Sequence, residues 1–86
     1  MQRDVTVKNH GSLLVPGHCG DWLFPEDWSL PVQSIEHFVV DENRDGDREW
    51  IWVFLSGREG PVLVRSRLDD FRWAYGKALT YWLLGK

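Results

Sequence analysis

Residues 50–55 read tryptophan, isoleucine, tryptophan, valine, phenylalanine, leucine, and this run constrains the fold more than any other. Each member is aromatic, β-branched or leucine, the types that suit a pleated surface, so a strand is predicted. Alternation sets Trp50, Trp52 and Phe54 on one face and Ile51, Val53 and Leu55 on the other. A one-sided antiparallel sheet pairs an apolar face with a polar one. Here both faces are apolar. Large exposed apolar patches are rare in monomers, so both faces call for cover.

Helical periodicity supplies one cover. Leu68, Phe71, Tyr75, Ala78, Leu79 and Trp82 fall on one stripe at helical spacing. Ser66 is the expected N-cap, with Asp69 three residues on as a variant capping box. Asp69 and Asp70 suit the positive end of the helix dipole, and Gly85 suits the stop. Three covers are open for the second sheet face. They are the segment 22–30, a second copy of the chain, and a different partner or apolar ligand.

The rest of the chain reads as short strands and turns. Residues 5–8 form a strand, Asn9, His10 and Gly11 a turn, and Leu13, Leu14 and Val15 a second strand. Residues 16–34 are irregular, punctuated by Gly17, Gly20, Pro25 and Pro31, with Pro25 to Trp28 suited to one helical turn. Residues 35–40 form a strand with Ile35, His37 and Val39 on one side, leaving His37 partly buried. Residues 56–60 turn, and Val62, Leu63 and Val64 form the last strand. The expected fold is α+β over residues 1–86 as one domain. It has an antiparallel sheet of four to five strands, with one C-terminal helix packed on one face.

Composition narrows the function. The chain has 86 residues, with 10 Lys and Arg against 13 Asp and Glu, for a net charge of −3. The cations are scattered rather than gathered in the basic stripe of a nucleic-acid binder, so nucleic acid is not an expected partner. No apolar run is long enough to span a bilayer. The first residues lack the apolar run of a signal peptide, and a cytoplasmic location is the default expectation. The lone Cys19 forbids an intrachain disulfide. Six tryptophans in a chain this short are hard to hide, since each ring buries about 150–250 Å².

Several residues are of types that carry chemistry. Residues 41–46 match the opening of a calcium loop, with Asp41, Asn43 and Asp45 as ligand positions. Trp52 occupies the twelfth position and the flanks read as strands, so a solvated hairpin turning at Asp45 and Gly46 is the simpler reading. His10, His18, Cys19 and His37 match no zinc spacing. Cys19, between glycines and beside His18, is the one candidate nucleophile, and a catalytic thiol needs a base in reach and a lowered pKa. No further catalytic signature accompanies it.

The expected function is therefore a non-enzymatic protein-interaction or regulatory module that self-associates, as a homodimer, through aromatic surfaces. Its contact residues are Trp50, Trp52 and Phe54 on the strand and Trp73, Tyr81 and Leu84 on the helix, Trp and Tyr being enriched at binding hot spots. Trp22 and Trp28 are expected at a rim or lid. No cofactor is implied. The alternative is a small-ligand or divalent-ion domain using the 41–47 loop or an apolar pocket under the 16–31 segment.

Overall fold

The computed structural model describes residues 4–7, 11–20 and 27–85. The expectations for His10, Trp22 and Pro25 lie outside them. The fold is α+β, with six strands in two antiparallel three-stranded sheets rather than one sheet of four or five. In the first sheet β1 (Thr6–Val7) pairs with β2 (Ser12–Val15), which pairs with β3 (Trp28–Pro31). A 3-10 turn (Val32–Ser34) leads into the second sheet, β4 (Ile35–Asp45), β5 (Arg48–Leu55) and β6 (Val62–Ser66). The helix α1 spans Leu68–Leu84.

The strand β3 replaces the irregular reading of that segment and excludes a helical turn at Trp28. Trp28 pairs with Val15 and Leu30 with Leu13, so alternation turns Trp28 and Leu30 toward the same side. Leu30 is buried in the core and Trp28 packs against it. Trp28 is thus partly buried against the fold's own core.

The buried rows of both sheets and of the helix form one cluster. Leu13, Val15 and Leu30 come from the first sheet, Ile51, Val53, Val62 and Val64 from the second, and Phe71, Ala74 and Ala78 from α1. Phe38 of β4 meets Phe71 and Tyr75 edge-on, at centroid distances of 4.9 and 5.6 Å. The helix stripe thus packs as its period predicts, with Leu68, Tyr75, Leu79 and Trp82 partly buried along it.

Two local readings are corrected. A register shift between Ile35 and His37 reverses the facing of β4. An extra residue there lets Ile35 point inward while His37 points outward, exposed, where alternation alone had put them together. The second correction concerns the helix start. Ser66 ends β6, buried, and its hydroxyl donates to the Arg67 carbonyl. The N-cap is Arg67, with no side-chain cap of its own.

Asp4 takes over that role from 63 residues away. Its Oδ2 accepts the Arg67 backbone N–H at 3.0 Å and the Arg48 Nε at 2.9 Å, while Oδ1 accepts Arg48 Nη2 at 3.0 Å. The Asp4 backbone N–H donates to Asp70 Oδ2 at 3.2 Å. Asp4 is 3% exposed. Burial alone would raise its pKa, but the Arg48 guanidinium and the Arg67 N–H outweigh it and hold the carboxyl below its ordinary 3.8. One carboxylate therefore joins the start of the described chain to β5 and to the first turn of α1.

Close approach also governs the other end of the helix. Gly11 has φ +98°, and a Cβ built on it would stand 2.6 Å from Trp82 Cβ and 3.2 Å from the Ala78 carbonyl oxygen. Its own carbonyl accepts the Val32 N–H at 2.7 Å. Gly11 lets the chain entering β2 lie directly on the helix backbone.

Two outcomes follow. Gly11→Ala lowers stability by about 2–3 kcal/mol, read as a lower urea midpoint at unchanged m, because it adds left-handed strain to overpacking against helix backbone. Asp4→Asn lowers neutral-pH stability by about 1.5–3 kcal/mol, since it replaces the buried carboxylate that accepts charge-assisted hydrogen bonds from Arg48 and the Arg67 N–H. Asp4's folded pKa is depressed, so its contribution is fully present above the unfolded value near 3.8 and is lost as pH falls through the folded pKa. Urea titrations across acid pH should show that limb in the parent chain and find it reduced in Asp4→Asn.

Candidate interaction surface

The outward face of the second sheet is built by register. Trp50, Trp52 and Phe54 alternate with the fully buried Ile51 and Val53. Across β4, His37 stands opposite Phe54 and Val39 opposite Trp52. Across β6, Leu63 stands opposite Trp52 and Arg65 opposite Trp50. The result is a three-stranded platform of rings and aliphatic side chains. Its three rings on β5 are half-buried, and Val39 is 49% exposed.

The platform organises itself laterally. His37 stacks on Phe54 with centroids 4.4 Å apart and planes 14° from parallel. The Arg65 guanidinium lies 5.8 Å from the Trp50 ring centroid, close enough for a cation–π contact. Arg65 also donates to Asp45 Oδ2 at 2.7 Å and to the His18 carbonyl at 3.1 Å. The Trp52 indole N–H donates to Asp41 Oδ2 at 2.9 Å. These contacts engage the Trp52 indole N–H and the Arg65 guanidinium at the edge of the rings and leave their upper surface apolar.

The same bonds decide the acidic loop. What composition marked as a loop is mostly strand, since β4 runs to Asp45 and β5 starts at Arg48. The chain reverses through Gly46 and Asp47, with Gly46 at φ +66°. The Trp52 indole N–H and then the Asn43 backbone N–H hold the Asp41 carboxyl below its ordinary pKa. Asp45 faces Arg65, and Asp47 faces Arg48 and Arg67. The loop's carboxylates are thus spread onto indole and guanidinium partners rather than gathered around one point, as a calcium ion requires. A cleft of about 390 Å³ lies between this hairpin and the start of α1, lined by Arg44, Asp47, Glu49, Arg67, Leu68, Asp69 and Asp70. Glu49 pairs with Arg44 within the hairpin and Asp47 with Arg67 of the helix start, and Asp69 and Asp70 leave the lining acidic. It is not the apolar pocket under the 16–31 segment.

Cys19 and His18 do meet a third group. The ligand atoms of Asp4, His18 and Cys19 lie within 4.8 Å of one another, with His18 Nε2 at 3.7 Å from Asp4 Oδ1. No spacing rule reveals this, because Asp4 arrives from a distant part of the chain. Both oxygens of Asp4 are already bonded to Arg48, whose positive charge repels a cation. Cys19 is fully buried. Burial and the Asp4 charge push its thiol up to about 11, away from the lowered pKa of a catalytic cysteine. The turn earns its place structurally: the Cys19 carbonyl accepts the Arg65 N–H at 2.6 Å and so covers part of the β6 edge.

The helix carries the remaining candidates. Trp73 and Leu84 are 38% and 79% exposed, opposite the buried Phe71, Ala74 and Ala78, and Tyr81, 44% exposed, lies on the flank of that buried stripe. They share no surface with Trp50, Trp52 and Phe54, whose outward face lies on the far side of the second sheet's buried row. Leu83, at 57% exposed, joins the helix group and was not anticipated. His37, Val39, Leu63 and Arg65 join the sheet group. Strand pairing alone reveals them, since pattern reading ranked residues within elements and not across them. No helix among the described residues is long and apolar enough to cross a membrane. Comparison with protein-family models, with curated proteins and with solved structures finds no match to this chain.

Native Cys19 should resist thiol reagents. The raised pKa alone lowers its thiolate fraction about a hundredfold, and burial slows it further. Labelling by a disulfide reagent at neutral pH should be slow in buffer and fast in denaturing urea. Equal rates in the two would show the thiol accessible.

Proposed function

We propose that this chain is a non-enzymatic protein-interaction module that works through the outward face of β4, β5 and β6. The reading is carried by one observation. The Trp50, Trp52 and Phe54 row stands half-exposed beside an exposed Val39, while the Trp52 indole N–H and the Arg65 guanidinium are bonded to carboxylates of the same sheet. Such a surface gains little from water and much from a flat apolar partner. Its charged groups, Asp41, Asp45 and Arg65, lie toward one end, which matches the apolar centre and polar rim of protein interfaces. Self-association belongs to the same reading, because the helix offers a second exposed apolar group.

The ion-binding alternative loses its motive once the loop carboxylates are engaged with Trp52, Arg65, Arg48 and Arg67. Thiolate chemistry at Cys19 loses its motive with the raised pKa.

A photo-crosslinking amino acid placed at Val39 in the native host tests the reading. Val39 is exposed, so the replacement leaves the fold intact. The expected result is a discrete covalent adduct from position 39 that is absent when the same group replaces Glu59 in the exposed 56–60 turn. Identical adducts from both positions, or none from either, would count against the sheet face as the contact surface.

A further inference from the structure

The two edges of the second sheet differ. At β6 the Arg65 N–H donates to the Cys19 carbonyl at 2.6 Å, so the turn before it in the chain covers part of that edge. At β4 no backbone group among the described residues is bonded to the outer side. We infer that this open edge receives an extended basic segment of a partner protein, which joins the sheet as a fourth strand. The inference rests on the interaction-module reading and names the partner's chemistry for that sheet.

Main-chain geometry selects an extended occupant. Every second residue of an antiparallel edge strand turns both its N–H and its C=O away from the sheet. An added strand matches those groups, whereas a helix has already spent its own internally. The regular part of β4 is short. His37, Phe38, Val39 and Val40 pair in sequence with β5, and a register shift lies at each end. Within that stretch Val39 stands opposite Trp52 and is 49% exposed. A strand laid along β4 gives Val39 a neighbour on its other side and carries the ring platform outward by one strand.

Charge selects a basic occupant. The strand β4 carries Glu36, Asp41, Glu42 and Asp45 against Arg44. Asp41 is bonded to Trp52 and Asp45 to Arg65. Glu36 and Glu42 are exposed, and their carboxylates bond to no described residue. They sit in the two register shifts, one on each side of the regular stretch. Six positions of extended chain cover about 20 Å, so a strand with a cation at each end of a seven-residue stretch meets both. Bulges and charges at a sheet edge act against pairing with a like edge. Here they oppose a second copy's β4, which brings the same excess of acids, while a cationic strand gains from them.

Amide NMR of the full chain, titrated with the peptide Lys-Val-Thr-Val-Thr-Val-Lys, tests this. The peptide is palindromic in residue order and so fits either strand direction. The inference expects saturable binding on the order of 0.1–1 mM, with shifts and slowed amide exchange centred on residues 37–40. Replacing both peptide lysines by glutamate should weaken it about tenfold or more, and N-methylating every internal peptide amide should abolish it. The double variant Glu36→Lys, Glu42→Lys should weaken it equally at an unchanged melting temperature, since both acids are exposed. The peptide-side changes leave the chain untouched and decide the matter even where that variant melts lower. No saturable shift in the millimolar range overturns the inference, as does equal binding by the N-methylated or the glutamate peptide. A concentration-dependent dimer of the chain alone, dissociated by the peptide, also overturns it and gives the edge to a second copy. Failure here leaves the Val39 adduct to decide the outward face. Binding at β4 with no adduct from position 39 keeps the edge and removes the face.

Discussion

A single carboxylate, Asp4, holds three parts of this small fold in register. It neutralises Arg48 on β5, receives the N–H at the start of α1, and lies against the turn that carries His18 and Cys19. A chain this short buries a limited core, so a polar anchor at the meeting point of its layers does more than in a large domain. Asp4 succeeds there because its lone pairs are matched by donors on rigid elements. Asp70 completes the junction by accepting the Asp4 N–H, so the helix start and the first described residue are tied by two bonds running in opposite senses. No buried side-chain nitrogen or oxygen among the described residues is left without a partner.

With that junction in place, the two faces of β5 meet different fates. Ile51 and Val53 enter the common core under α1 and the first sheet. Trp50, Trp52 and Phe54 are covered only in part, by side chains of their own sheet. Amphipathic groups make that arrangement tolerable: the Arg65 guanidinium and the His37 ring lie over apolar surface while keeping contact with water. The hairpin between β4 and β5 contributes more than a link. Its acidic residues are the counter-charges for Arg44, Arg48, Arg65 and Arg67, so the stretch that carries the net charge of the chain also ties the second sheet to the helix.

Much of this was legible in residue types. The β5 strand declared itself because all six of residues 50–55 favour a pleated surface. The helix did so because its apolar stripe keeps a helical period over several turns. The strand β3 was missed because Trp28, Ser29, Leu30 and Pro31 make a short run between prolines, where local preference is weak and pairing with β2 decides. The extension of β4 through Asp41, Glu42, Asn43 and Arg44 was missed for a related reason. Those residues are poor strand formers and lie at a second register shift, after which Arg44 regains a partner in Glu49. His37 was misplaced because a bulge is a property of pairing, invisible to strict alternation.

The amino-acid sequence by itself determined the α+β class, the two-faced apolar strand, and the helix with its buried and exposed sides. These depend on period and local chemistry, which neighbouring residues carry. Tertiary structure alone decided the division into two sheets, the outward turn of His37, the trans cap that Asp4 supplies to α1, and the meeting of Asp4, His18 and Cys19. Each of these joins residues distant in the chain or shifts a strand by one position. Their free energies come from burial and charge pairing between elements, and no short window of sequence contains both partners.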